Sequence, residues 1–431
     1  MDPHGTPVGT FASLGISPRI LSILDALKYT IPTPIQARAI APGLAGTDVV
    51  GIAQTGTGKT LAFGIPIIQH IIESDGRALV LVPTRELALQ AEETFLKVGR
   101  PLGVRTAVLI GGAAMRPQIE AIRRGPDVVI ATPGRLIDHL EQGILGLSTV
   151  SILVLDEADR MLDMGFLPQI KRILSAVPTE RQTMLFSATL SREIFTIAQK
   201  TMKTPVQIEV APQGTTSENV TQELFLVRGD EKLRLLEKIL SETEGPTLVF
   251  CRTKHGARKI AARLTAIGHK AADIQGNRSL AQRKQALAGF KSGQHRVLVA
   301  TDIVARGIDV QGVAFVINYD LPGAAADYVH RIGRTGRAGA QGHAISFVLP
   351  QEKRDIRDIE HLIRKAIDFT PLPILPAATP GSSLSHYDEE DAPRGGSRGR
   401  GSSGGGGRGG RPSGASHRRG PSFHSTGRHR R

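Results

Sequence analysis

The stretch Gly51-Ile-Ala-Gln-Thr-Gly-Thr-Gly-Lys-Thr60 constrains this chain most, because the apolar pair Val49-Val50 runs directly into a glycine-rich turn ending in Lys59-Thr60. Glycines let backbone N–H groups turn inward onto phosphate oxygens, the lysine supplies a cation for the outer phosphates, and the threonine hydroxyl can ligate Mg2+. The Leu61–Ile72 run predicts a helix whose N-terminus faces the same anion. One residue departs from the G-x-x-x-x-G-K-[ST] pattern: Ala53 stands where its first glycine belongs.

The rest of the chain repeats a strand-then-helix step. Short apolar runs at Ala78–Val82, Thr106–Ile110, Val128–Thr132, Ile152–Leu155 and Thr183–Phe186 alternate with segments of helical spacing. Runs that are apolar at every position suit strands covered on both faces, which argues a parallel sheet flanked by helices, in the α/β class. Upstream, Leu14, Ile20, Leu21, Leu24 and Leu27 keep helical spacing, and the two prolines Pro32 and Pro34 restart the chain. From Thr204 to Val220 the pattern lapses into Pro, Gln, Gly, Thr and Ser, which predicts a linker over 209–220 between a first domain over 1–208 and a second over 221–369. The second domain repeats the step at Thr221–Val227, Thr247–Cys251, Val297–Ala300, Val313–Asn318 and Ala344–Val348, and a helix over Gln351–Ile367 closes it. No second G-x-G-K-T occurs there, so one nucleotide site serves two domains. Residues 370–431 turn Pro-rich and then Gly/Ser/Arg-rich; such a segment buries too little apolar area to offset its ordering entropy, and a disordered tail is expected.

Charge is concentrated in that tail. Ala392 to Arg431 holds ten Arg and no Asp or Glu, leaving +4 of the net +14 for residues 1–391. Such a tail points to a polyanionic partner. Aromatics make up 4% of the chain and Trp is absent, so a core that binds nucleic acid should grip its backbone rather than stack its bases. The single cysteine, Cys251, sits in an apolar run and fits a reducing cytoplasm. Met1–Thr10 lacks a signal pattern, and no run approaches the length of a membrane span.

Asp156-Glu-Ala-Asp159 follows at once on the apolar run Ile152–Leu155. Its carboxylates therefore stand at the carboxyl end of a central strand, where α/β sheets bind ligands. Asp156 can hold a hydrated Mg2+ and Glu157 can orient or deprotonate a water. An isolated acidic run is more often a solvated surface; the phosphate cradle upstream favours the functional reading.

These segments, in order, resemble the DEAD-box ATP-dependent RNA helicases, and within them the bacterial RhlE-like group. The resemblance spans about residues 11–350 and rests on Pro32-Thr-Pro-Ile-Gln36, Ala53–Thr60, Pro83-Thr-Arg-Glu-Leu-Ala88, Gly111-Gly112, Thr132-Pro-Gly-Arg135, Asp156–Asp159, Ser187-Ala-Thr189, Ala300–Asp309 and His330–Arg337. The Ala53 departure is itself usual for that family.

The resemblance implies two tandem RecA-like domains that close on ATP and Mg2+ between them and on single-stranded RNA across both. It implies ATP contacts from Tyr29 (stacking), Gln36 (reading the adenine edge with both amide groups), Ala53, Gln54, Thr55, Gly56, Thr57, Gly58, Lys59, Thr60 and, at the ribose, Asp309. Thr60 and Asp156 would hold the metal, partly through water. Lys59, Asp156, Glu157, Arg334, Arg337 and His330 would be catalytic, the two arginines as fingers that reach the γ-phosphate on closure. Arg85, Gly112, Thr132, Gly134, Arg135, Arg252 and Thr301 would hold the RNA sugar-phosphate backbone with little sequence preference. Asp159, Ser187 and Thr189 would couple hydrolysis to RNA separation. An ATP-gated RNA clamp or annealing factor, with binding dominated by the tail, is the rival reading. Ribosome-assembly or RNA-decay proteins are the expected partner classes, and the core is expected to be monomeric.

Two departures from the family pattern stand out. Lys28 precedes Tyr29 where glycine is common, and in Gln275–Arg283 the family usually has histidine before the glycine and glutamine at the Leu280 position. Arg283 is retained. The missing glutamine puts one interdomain closing contact in question, with Gln282 the substitute to test.

Overall fold

The computed structural model describes residues 9–54, 56–74, 76–210, 219–302, 312–336 and 340–377. The first domain is built on a seven-stranded sheet: β1 (Val49–Ile52), β2 (Arg77–Leu81), β3 (Thr106–Leu109), β4 (Val128–Ala131), β5 (Val150–Asp156), β6 (Gln182–Ser187) and β7 (Val206–Glu209). Their order is β3-β4-β2-β5-β6-β1-β7 and every pairing is parallel. The helices of this domain are α1 (Pro18–Ala26), α2 (Pro34–Leu44), α3 (Lys59–Glu73), α4 (Arg85–Val98), α5 (Met115–Arg123), α6 (Pro133–Glu141), α7 (Ala158–Asp163), α8 (Leu167–Ala176) and α9 (Arg192–Thr201).

The second sheet contains β8 (Val220–Leu226), β9 (Thr247–Phe250), β10 (Ala271–Ile274), β11 (Val297–Ala300), β12 (Phe315–Asn318) and β13 (Gly342–Val348), in the parallel order β10-β11-β9-β12-β13-β8. Around it lie α10 (Lys232–Glu242), α11 (Lys254–Ala266), α12 (Leu280–Lys291) and helices over Ala325–Ile332 and Lys353–Ile363.

Side chains alternate across a strand, so an all-apolar strand feeds two cores at once. In β2 and the residue after it, Val80 and Val82 join one apolar cluster with Phe63, Val154 and Phe186, while Leu79 and Leu81 join another with Val50, Leu153 and Leu155. Helices cover both faces. The parallel strands all point their carboxyl ends to one edge, and there the loops after β1 and β5 meet.

The structure departs from the sequence expectations in four places. Val206–Glu209 is an edge strand paired to β1, so the first domain runs beyond the expected start of the linker. It was hidden because only Ile208 of its four residues is buried. The short strand Ala271–Ile274 carries Asp273 between two alanines and Ile274 and lacks the apolar continuity of the others. The closing helix stops at Ile363, where Arg364 takes a left-handed conformation (φ +55°). The chain then returns to the second sheet: Thr370 N–H donates to the Leu224 carbonyl at 2.8 Å, and Leu375 packs against the core. The segment expected to be a tail therefore begins as packed chain. Linker residues 211–218 and tail residues 378–431 lie outside the described residues. Among the described residues no helix is long and apolar enough to cross a membrane.

Candidate nucleotide and RNA site

The cradle forms as β1 turns into α3. Gly58, the N-cap of α3, sits at φ +93°, and a Cβ there would lie 2.3 Å from Gln36 Nε2. Only glycine serves at that position. Thr57 Oγ1 donates to the Gln54 carbonyl at 2.7 Å, fixing the turn. Lys59 is buried, and its Nζ stands 3.8 Å from Asp156 and 4.0 Å from Glu157. Lys59 Nζ and Asp156 Oδ1 hydrogen-bond to no described residue. Burial pushes the Asp156 carboxyl up to about 6, against the downward pull of Lys59, and the neighbouring Glu157 adds to the rise. A buried ammonium and a buried carboxylate oxygen without hydrogen-bond partners among the described residues suit a polyphosphate and a hydrated divalent ion, which would complete both. No cluster of three or more His, Cys, Asp or Glu able to hold a metal occurs among the described residues. An ion here would therefore draw most of its ligands from phosphate and water.

Glu157 occupies a left-handed conformation (φ +54°) at the end of β5 and forms a buried ion pair with Arg160, one turn along α7. Sequence reasoning missed Arg160, although its i,i+3 spacing from Glu157 was legible. Asp159 turns the other way. One of its carboxylate oxygens accepts hydrogen bonds from Ala188 N–H (3.0 Å), Thr189 N–H (2.9 Å) and Thr189 Oγ1 (3.2 Å), and its own N–H donates to Ser187 Oγ at 3.3 Å. The three residues expected to couple hydrolysis to RNA separation thus form one hydrogen-bonded unit.

The second domain reaches this motif. Burial lowers His330 to about 4, and Arg160 and Arg334 lower it further while Asp159 and Glu157 oppose them. A Cβ built on Gly333 would stand 3.7 Å from Gln54 Oε1, and Arg334 is buried. Thr55, Asp309 and Arg337 lie outside the described residues. Arg331 was also missed as a separate element: fully buried, it grips Asp302 through two hydrogen bonds (2.6 and 2.7 Å) and Asn318 through a third (3.1 Å). That pairing is internal to the second domain.

On the base side, Gln36 is more occupied than expected. Its Oε1 accepts from Thr33 N–H at 2.9 Å as part of the α2 capping box, and its Nε2 donates to the Gly58 carbonyl at 3.0 Å. An amide has two acceptor lone pairs and two N–H donors, so one lone pair on Oε1 and one N–H on Nε2 remain for the adenine edge. Tyr29 and Thr60 border a recess of about 500 Å3 with Gln90, Glu93, Thr94 and Lys97 of α4 and Lys291 of α12. Lys28 sits at φ +61°, which accounts for the glycine common at that position.

Five of the seven expected RNA residues gather at one place. Arg85, Thr132, Gly134 and Arg135 line a recess of about 420 Å3, together with Glu86, Gly276 and Arg283. Gly112 abuts it at φ +69°, where a Cβ would come within 2.3 Å of the Arg85 guanidinium. Burial and the nearby Arg283 and Arg135 cations lower Arg85, while Glu86 opposes them; a site so crowded with positive charge attracts an anion. Arg135 Nη1 donates to the Ala113 carbonyl at 3.0 Å. Arg252 and Thr301 are not in this recess. Arg252 is tied to Glu352 (3.1 Å) and, through its N–H, to Asp320 (3.0 Å), while Thr301 is buried after β11.

Residues 33–197 match the family model described as DEAD/DEAH box helicase, and residues 231–339 match the helicase conserved C-terminal domain. The DEAD-box ATP-dependent RNA helicase CshA of Geobacillus kaustophilus is 43% identical over 376 residues, covering 86% of this chain and 80% of that protein. Among solved structures, Mss116p bound to single-stranded RNA and AMP-PNP aligns with a TM-score of 0.80 at 28% identity, over 86% of this chain and 82% of that one. A DEAD box protein from Methanococcus jannaschii reaches only 0.51 at 38% identity, over 84% and 99%. Two tandem RecA-like sheets, the two family matches and a 43% identical relative over most of both chains show that this chain belongs to the DEAD-box ATP-dependent RNA helicases.

Proposed function

We propose that the chain hydrolyses ATP in step with closing its two domains on single-stranded RNA, and that closure locally separates short duplexes or remodels ribonucleoproteins. The observation that carries this reading is that the second domain abuts the nucleotide motifs of the first: a Cβ on Gly333 would stand 3.7 Å from Gln54 Oε1, and His330 lies within electrostatic reach of Glu157, Asp159 and Arg160. The higher TM-score with the RNA- and AMP-PNP-bound relative, at lower identity than the Methanococcus protein, supports it as well.

In this mechanism Lys59 and the α3 N-terminus hold the outer phosphates, and Tyr29 and Gln36 hold the base. Thr60 and, partly through water, Asp156 would hold Mg2+, which would neutralise charge on the phosphates. Glu157 orients the attacking water and takes its proton. Arg334, with Arg337, stabilises charge developing on the transferred phosphoryl group, a role worth on the order of 10³-fold in comparable NTPases. Asp159 relays the state of the cleft to Ser187 and Thr189, beside the groove where Arg85, Gly112, Thr132, Gly134, Arg135, Arg252 and Thr301 grip the RNA backbone. Hydrolysis then releases the strand.

The functional units flank the connection between β7 and β8, and the Arg-rich tail tethers RNA. We read the chain as a cytoplasmic protein of the RhlE-like group with a monomeric core and with partners in ribosome assembly or RNA decay. ATPase measured with and without single-stranded RNA tests the reading: RNA should stimulate turnover at least tenfold, and a rate indifferent to RNA would defeat it.

A further inference from the structure

Leu280 stands where the family resemblance expects glutamine, and the structure shows what replaces that contact. Gln282 does not substitute. Its Oε1 accepts from Ser279 N–H at 3.0 Å and its N–H donates to Ser279 Oγ at 3.2 Å, so it serves as the capping box of α12. Leu280 itself, the first residue of α12, packs against the apolar cluster of the first domain, which includes Leu87 and Ala88 of α4, rather than against a core of its own domain.

The neighbours of Leu280 extend this contact along both helices. Residues 280, 283, 284 and 291 fall on one stripe of α12. Arg283 forms an ion pair with Glu86 of α4 at 2.8 Å, with side chains 7% and 8% exposed. Lys284 lies within electrostatic reach of Glu92, and Lys291 of Glu93. Arg283 also lines the RNA-side recess, while Lys291, about 12 Å further along the helix, lines the recess of Tyr29. The α4–α12 seam therefore runs from the recess lined by Arg85 and Arg135 to the recess bordered by Tyr29 and Thr60.

We propose that Leu280 is a positioning residue for RNA-dependent closure, seating α12 on α4 through an apolar contact where a polar one is usual, so that the RNA recess and the base recess form together. The inference rests on the closing mechanism proposed above. Because the contact is apolar, its contribution should survive high salt, whereas that of Lys284 and Lys291 should be screened.

The test uses the full chain, single-stranded oligo-U, and ATPase titrated with RNA at low and high salt. L280Q and L280A should raise the RNA concentration for half-maximal ATPase about fivefold, the factor set by roughly half a leucine's transfer free energy, with maximal rate changed less than twofold. The ratio to the parent chain should be the same at both salts. L280M should restore parent behaviour, and K284E with K291E should weaken RNA use only at low salt. Parent-like behaviour of L280Q, a defect in L280M equal to that of L280A, or an L280Q defect that vanishes at high salt overturns the proposal. Because Leu280 starts its helix and points away from its own core, unchanged melting of the variants is expected, and a loss of melting temperature that accounts for the defect also counts against it. If the parent ATPase ignores RNA, the closing mechanism fails first; if the parent responds and L280Q matches it, this inference alone fails.

Discussion

Asp159→Asn tests the link between the cleft and the Ser187–Thr189 loop. One Asp159 oxygen accepts three hydrogen bonds, from two backbone amides and a hydroxyl, and the other accepts from Arg160 N–H at 3.0 Å. A hydrogen bond to a charged acceptor contributes about 1 kcal/mol more than one to a neutral acceptor. Neutralising the carboxylate therefore weakens the three shared bonds by roughly 2–3 kcal/mol in all. Asparagine adds a second cost: with its oxygen turned to Ala188 and Thr189, its NH2 faces the Arg160 N–H, donor to donor. The ordered arrangement of the loop should lose about 30- to 150-fold in relative population. Amide exchange at Ala188 and Thr189 should accelerate accordingly, and unwinding of a short duplex should fall at least tenfold more than RNA-stimulated ATPase. Equal losses in both activities, or slow exchange retained at those amides, would refute the reasoning.

Three further outcomes are expected. Glu157→Gln should cut turnover by about 10²-fold or more through loss of the general base, while equilibrium binding of ATP and RNA stays within a few-fold; substantial residual turnover would remove Glu157 from its role. Lys28→Gly relieves a left-handed lysine that costs about 1–2 kcal/mol, set against roughly 0.5–1 kcal/mol of added chain entropy, so melting should rise by about 1–3 °C with KM for ATP unchanged, and a fall in melting temperature would show that Lys28 is not strained. His330 is lowered from its ordinary 6.5 to about 4, so between those values the unfolded or opened chain binds the proton more readily and stability falls as pH drops from 6.5 toward 4; melting across that window should show the slope, and H330Q should flatten it.

The two sheets were legible because their strands are apolar at every position, as parallel strands covered by helices must be. The strands Val206–Glu209 and Ala271–Ile274 were not. One is an exposed edge and the other carries Asp273, so neither presents a continuous apolar run. Within the site, Lys59, Asp156 and Glu157 could be read from local order: Lys59 opens the helix behind the glycine-rich turn, Asp156 ends β5 and Glu157 follows it. The contacts of Glu86, Arg283 and Arg331 depend on partners up to about 200 residues away, and the i,i+3 spacing of Glu157 and Arg160 is shared by many solvated charge pairs. Gln36 shows the same limit: its residue type was legible, but the Gly58 carbonyl that occupies its amide is a tertiary fact.

The central claim is that nucleotide and RNA favour one closed arrangement, and equilibrium linkage measures it most directly. The affinity of a non-hydrolysable ATP analogue should tighten when saturating single-stranded RNA is present, and RNA should tighten by the same factor when the analogue is saturating, because coupling is reciprocal. A common factor of about tenfold or more is the predicted result. Affinities that do not respond to the other ligand would contradict the account.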